Sequence, residues 1–179
     1  MNATTFWTIV DEAAKKAKGD QDKFISAITK KLKALSPEEI VAFDGQFRAQ
    51  MDRLYTWELW GAAYLILGGC SDDGFEYFRA WVISQGKAVA EAALDAPDSL
   101  AKLEIDEPEM CEFEMFLYVT AEVYEEVAEE ELPPRTTPMP SEPAGESFDF
   151  DDTDVMTARY PKLAAKFLDG DGEDEDEDD

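Results

Sequence analysis

Apolar residues recur along most of the chain at spacings of three and four, a pattern that predicts one helix after another. Phe6, Trp7, Ile9, Val10, Ala13, Ala14 and Ala17 form the first stripe, with Thr4 or Thr5 as N-cap and Gly19-Asp20 as the stop. Phe24, Ile25, Ile28, Leu32 and Leu35 repeat it, with Lys30, Lys31 and Lys33 on the wet side. Ser36-Pro37-Glu38-Glu39 opens a third helix: Ser36 caps the backbone, Pro37 takes the first helical position, and Glu39 completes a capping box. Ile40, Val41, Phe43, Phe47 and Met51 are its inward set. Residues 57–67 are apolar almost all round, which predicts a buried central helix ended by Gly68-Gly69. Ser71 or Asp72 then caps a helix carrying Phe75, Phe78, Trp81, Val82 and Ile83. Gln85-Gly86 breaks the pattern before a helical stretch over 87–94 and a short turn from Ala96-Pro97.

Residues 109–130 read as an acidic helix. Met110, Phe113, Phe116, Leu117, Thr120, Ala121, Tyr124, Val127 and Ala128 fall on one arc. Glu112, Glu114, Glu122, Glu125, Glu126, Glu129 and Glu130 fill the remainder, and Met115, Tyr118 and Val119 lie among these acids, so cover on both sides is expected in the first half. The run 113–120 has enough β-propensity to make a strand the alternative. Pro-rich residues 133–147 read as an extended linker after a helical domain at 1–132. Phe148, Phe150, Val155, Tyr160, Leu163 and Phe167 mark residues 148–168 as a segment that docks back on the domain, with a short helix near 161–168. Residues 169–179 read as a disordered acidic tail. The fold class expected is all-α.

Charge changes this picture. The 179 residues carry 42 acidic and 16 basic side chains, a net charge of −26. Residues 104–132 hold 12 acids and no base, and 169–179 hold nine acids and no base, so the acidic helix and tail account for most of the excess. Such a surface repels nucleic-acid backbones and anionic membranes and attracts a basic protein partner. No apolar run reaches the ~18–20 residues of a membrane span, and the N-terminus lacks the apolar core of a signal peptide; a cytoplasmic protein is expected. Histidine is absent, which removes His-based triads and His-containing metal sites. Cys70 and Cys111 are too few for a disulfide scaffold or a cysteine-rich zinc site. No catalytic residue, metal site or cofactor is expected.

Trp60-Gly61-Ala62-Ala63-Tyr64, Gly68-Gly69-Cys70-Ser71-Asp72-Asp73-Gly74-Phe75, Phe78-Arg79-Ala80-Trp81, Gln85-Gly86 and Pro97-Asp98-Ser99-Leu100-Ala101 together resemble a bacterial family of unknown function common in actinobacteria. The leading Phe6-Trp7 pair and Pro161-Lys162-Leu163 extend the resemblance to about residues 6–168. It implies a largely helical fold and a bacterial cytoplasmic setting, and no activity.

Two sets of residues carry the functional expectations. Glu122, Glu125, Glu126 and Glu129 on the acidic helix, with the tail, form the leading candidate surface for a basic protein. An inhibitor-like protein that occludes a nucleic-acid-binding partner is its specific form. Glu58, Ser71, Asp72, Asp73 and Arg79, rimmed by Trp60, Tyr64 and Trp81, form the alternative: a pocket for a polar ligand or a basic peptide, with or without chemistry. Helix caps and an Arg79–carboxylate pair account for the same residue types without any ligand.

Overall fold

The computed structural model describes residues 1–168. The expectation for residues 169–179 lies outside them. Helices α1 (Ala3–Ala17), α2 (Gln21–Leu32), α3 (Pro37–Arg53), α4 (Trp57–Leu67), α5 (Asp72–Ser84), α6 (Lys87–Asp95) and α7 (Met115–Ala128) follow one another, then α8 (Thr153–Arg159) and α9 (Pro161–Phe167). Two 3-10 turns, Pro97–Lys102 and Pro108–Cys111, lie between α6 and α7. The architecture is all-α.

Short polar side chains start most of these helices. Asn2, rather than Thr4 or Thr5, caps α1, accepting from the Thr5 backbone N–H at 2.9 Å. Ser36 and Glu39 form the expected capping box of α3; Thr56 caps α4 and Ser71 caps α5. Two helices take their caps from elsewhere in the chain. Gly86 opens α6 without a side chain to offer, and Asp11 of α1 accepts from the Lys87 N–H at 2.7 Å instead. Gly86 has φ +97, and a Cβ there would stand 2.8 Å from the Asp11 carboxylate, so conformation and space both require glycine. At α9, Asp98 accepts from the Lys162 and Leu163 N–H groups at 3.0 and 2.9 Å.

The core runs through every helix. Leu59, Ala62, Ala63 and Ile66 of α4 are buried, as the apolar run predicts. Phe24 of α2, Phe47 of α3, Phe113 just before α7 and Phe116 of α7 meet as a ring cluster with centroids 4.7–5.8 Å apart.

Three expectations are corrected. The acidic helix begins at Met115, not near 109, because Pro108 starts a 3-10 turn and Glu112 is extended; Met110 is exposed accordingly. The run 113–120 is helix from Met115 onward, not strand. The buried stripe of α7 is Phe116, Val119, Thr120, Val123 and Tyr124, turned by about 60° from the arc read off the sequence. Ala121 is therefore exposed, Val127 is exposed because it lies in the last turn of the helix, and Met115 and Tyr118 stand in solvent rather than covered. Neighbours decide this rotation: α2 and α3 both pack against α7 and draw the β-branched valines inward.

Residues 133–147 hold no helix, in keeping with their prolines, but they are tied to the body. Arg135 forms a two-pronged ion pair with Asp52 of α3, at 2.6 and 3.3 Å. Ala144 pairs with Thr56 in a single parallel bridge, its N–H donating to the Tyr55 carbonyl at 2.9 Å and its carbonyl accepting from the Trp57 N–H at 3.0 Å. Phe148 and Phe150 then lie along α4, and Tyr160 is buried against it.

Candidate functional site

The sequence-derived cluster divides into two places. Glu58 faces the C-terminal segment: its carboxylate pairs with Arg159, and its backbone carbonyl accepts from the Tyr160 hydroxyl at 2.7 Å. Trp60 is stacked between Trp57 and Phe75, centroids 5.3 and 4.9 Å away, and its indole N–H donates to the Cys70 carbonyl at 3.0 Å. Tyr64 donates to Asp151 at 2.6 Å, and this acceptor carboxylate raises the phenol's pKa. Trp81 is buried beside Phe78 and belongs to the core. Ser71 spends its hydroxyl on the Gly74 N–H at 3.2 Å. These five side chains build the fold and do not surround a common cavity.

Asp72, Asp73 and Arg79 do share one. They line a cleft of about 520 Å³ between α3, α5 and α7, closed on one side by Arg135, Met139 and Pro140 of the Pro-rich stretch. Helical spacing places Asp72, Asp73, Glu76 and Arg79 along one side of α5. α3 contributes Asp44, Arg48 and Asp52, and α7 contributes Leu117, Tyr118 and Ala121.

The charges in the cleft are not equivalent. Asp44 is buried and pairs with Arg48 at 2.5 Å, one helical turn on; Asp52 is held by Arg135, whose pKa that bond raises. Arg79 pairs with no carboxylate within 4.0 Å among the described residues, contrary to the ion pair considered from the sequence. It donates instead to the Met51 carbonyl at 2.8 Å and the Phe75 carbonyl at 3.3 Å, with its guanidinium 4.6 Å over the Tyr55 ring. Met51 lies in the last turn of α3, where backbone carbonyls lack helical partners, so the arginine caps the end of that helix. Burial lowers its pKa, against the raising influence of Glu76, Tyr55 and Asp52. Asp72, Asp73 and Glu76 are exposed and hold no ion pair among the described residues.

On α7 and its C-cap, Glu122, Glu125 and Glu129 are exposed without an ion pair among the described residues, whereas Glu126, at the edge of the same face, pairs with Lys33 just after α2 at 2.6 Å. Glu129 is also the left-handed residue that ends the helix, φ +56. Tyr118, Ala121, Glu122, Glu125 and Glu129 share one stripe by helical spacing, so the acidic face is continuous with the α7 wall of the cleft.

Nucleophilic chemistry finds little support in these groups. Burial, with Glu112 nearby, pushes the Cys70 thiol up to about 12, and burial does the same to Cys111. Both thiols are expected to resist alkylation by iodoacetamide at neutral pH in the folded protein and to react fully in denaturant, which mass spectrometry reads directly. The sign for stability follows: the unfolded thiols lose their protons first, so stability falls as pH rises above about 8.5. Rapid labelling of native protein at pH 7 would contradict the buried, protonated thiols. Among the described residues no group of three or more Cys, Asp or Glu side chains is placed to hold a metal ion, and no helix is long and apolar enough to cross a membrane.

The fold and cleft define a small helical domain with an acidic, partly apolar groove. The chain belongs to a family of proteins of unknown function, DUF4240, which matches residues 1–126. The matched region contains α1 to α6 and most of α7, and therefore most of the cleft; it does not reach the 135–140 wall or Pro161-Lys162-Leu163. No curated protein and no solved structure matches the chain.

Proposed function

We propose that the protein is a non-enzymatic interaction or regulatory protein of the bacterial cytoplasm that binds a basic protein partner through the acidic face of α7, assisted by the acidic tail. The observation that carries this reading is the stripe of exposed carboxylates Glu122, Glu125 and Glu129, unpaired among the described residues, at the edge of a cleft with three further unpaired carboxylates. Long-range attraction from such a face accelerates encounter with a cationic surface and is screened over ~8–10 Å in physiological salt. The test is capture from source-cell lysate, with the full chain compared with its E122Q/E125Q/E129Q variant and with a chain ending at Leu168. A basic partner held by the full chain, released by a severalfold rise in salt and lost from the variant is the expected result. Capture that ignores both salt and the three substitutions overturns the reading. Loss on shortening to Leu168 would assign the recognition to the tail.

A further inference from the structure

The cleft contains charges that the fold uses and charges that it leaves free. Asp44 and Asp52 are neutralised by Arg48 and Arg135, and Arg79 is committed to two backbone carbonyls. The groups left without an ion pair among the described residues are Asp72, Asp73 and Glu76 along α5, three negative charges against the one positive charge of Arg79. Beside them are two exposed side chains with apolar surface. Tyr118 is 51% exposed and Met139 69% exposed, and both line the cleft. At about 520 Å³ the space takes two or three side chains, far short of a folded partner domain but ample for part of an extended segment or a helix turn.

We infer that this cleft receives an arginine- or lysine-bearing segment of the basic partner, its charged heads on Asp72, Asp73 and Glu76 and its apolar side chains against Tyr118 and Met139. The inference rests on the reading of the acidic α7 face and adds where recognition is specific. Charge complementarity selects the occupant. An anionic ligand meets three unpaired carboxylates, and the three arginines of the cleft are already engaged, Arg48 and Arg135 by carboxylates and Arg79 by carbonyls. A purely apolar segment strands those carboxylates beside it, which costs their hydration. A long basic side chain satisfies both kinds of wall, because its methylene stem packs on apolar surface while its head remains at the acids; a cation over the Tyr118 face gains further. Arg79 has a complementary task. Its Nη2 has no partner among the described residues and is a donor available to a backbone carbonyl of the bound segment.

Fluorescence anisotropy at physiological salt tests this with two fluorescein-labelled probes, a decapeptide alternating arginine and leucine and an oligolysine of the same charge. The unaltered full chain is expected to bind the arginine–leucine peptide about tenfold or more tightly than oligolysine, since only the former engages Tyr118 and Met139. The cleft variant D72N/D73N/E76Q, checked for an unchanged circular dichroism spectrum, is expected to lose about tenfold in affinity for that peptide. The Y118S variant is expected to erase the preference between the two probes while leaving oligolysine binding as it was. If the cleft variant binds both probes like the unaltered chain while E122Q/E125Q/E129Q loses them, the cleft inference fails and the acidic α7 face stands. If neither probe binds the unaltered chain, the inference fails together with the reading beneath it.

Discussion

Replacing Tyr160 by alanine is expected to release the C-terminal segment from α4 and to cost about 3–5 kcal/mol, the range for emptying a fully buried aromatic site. Tyr160 is 1% exposed, rests near Phe148 at 6.3 Å, and donates its hydroxyl to the Glu58 carbonyl. Tyr160→Phe removes only the hydrogen bond and is expected to cost about 1 kcal/mol, so the pair separates packing from polar contact. Gly61 provides the same test from the other side. A Cβ on Gly61 would stand 2.5 Å from the Tyr160 hydroxyl and 2.8 Å from the Phe148 ring, so alanine there pushes both rings away. In an isolated helix that substitution would stabilise by about 1 kcal/mol, and the packed segment reverses its sign. Thermal melting reports the global loss, and hydrogen exchange over 148–168 reports the local release. Unchanged exchange in that segment for both Tyr160→Ala and Gly61→Ala would refute the account of how it is held.

Phe116→Ala is the second large effect, again about 3–5 kcal/mol. Its ring is fully buried, with Phe24 at 4.8 Å, Phe47 at 4.7 Å and Phe113 at 5.8 Å, so its loss opens a cavity that three flanking rings cannot all fill. Against a typical total stability of about 5–15 kcal/mol this is a large share. For a chain of this length it corresponds to a fall of roughly 6–20 °C in melting temperature. Phe116→Leu retains most of the volume and is expected to cost clearly less. Because α7 carries both the acidic face and one wall of the cleft, Phe116→Ala should also weaken binding of a basic peptide while leaving every carboxylate in place. A melting temperature within about 2 °C of the unaltered protein would show that α7 is held by something other than this ring cluster.

These two sites show why parts of the molecule were legible in advance. Phe116 sits in a run whose spacing already placed it inward, and the short polar caps Ser36 and Ser71 act within three residues of their own position. Interactions of that range are written in adjacent letters. The Gly61–Tyr160 contact joins residues about a hundred positions apart, and nothing near either one announces the other. The candidate cleft behaves likewise: Asp72, Asp73 and Arg79 are neighbours on one helix and line the same cleft. Glu58, Trp60 and Tyr64, adjacent in sequence to that group, proved to face the C-terminal segment instead. Arg135 had no local signal at all, since its partner Asp52 lies 83 residues earlier.

Sequence by itself determined the all-helical class, most helix positions, the buried α4 and the concentration of negative charge, because propensity, capping and amphipathic spacing act over one or two turns. Tertiary structure alone decided the rotation of α7 toward Val119 and Val123, the capping of α6 by Asp11 and of α9 by Asp98, and the commitment of Arg79 to carbonyls rather than to a carboxylate. Each of those depends on which surfaces are pressed together. A helix with several plausible apolar faces buries the one its neighbours fit, and a backbone group without a local partner takes whichever polar side chain packing brings within reach.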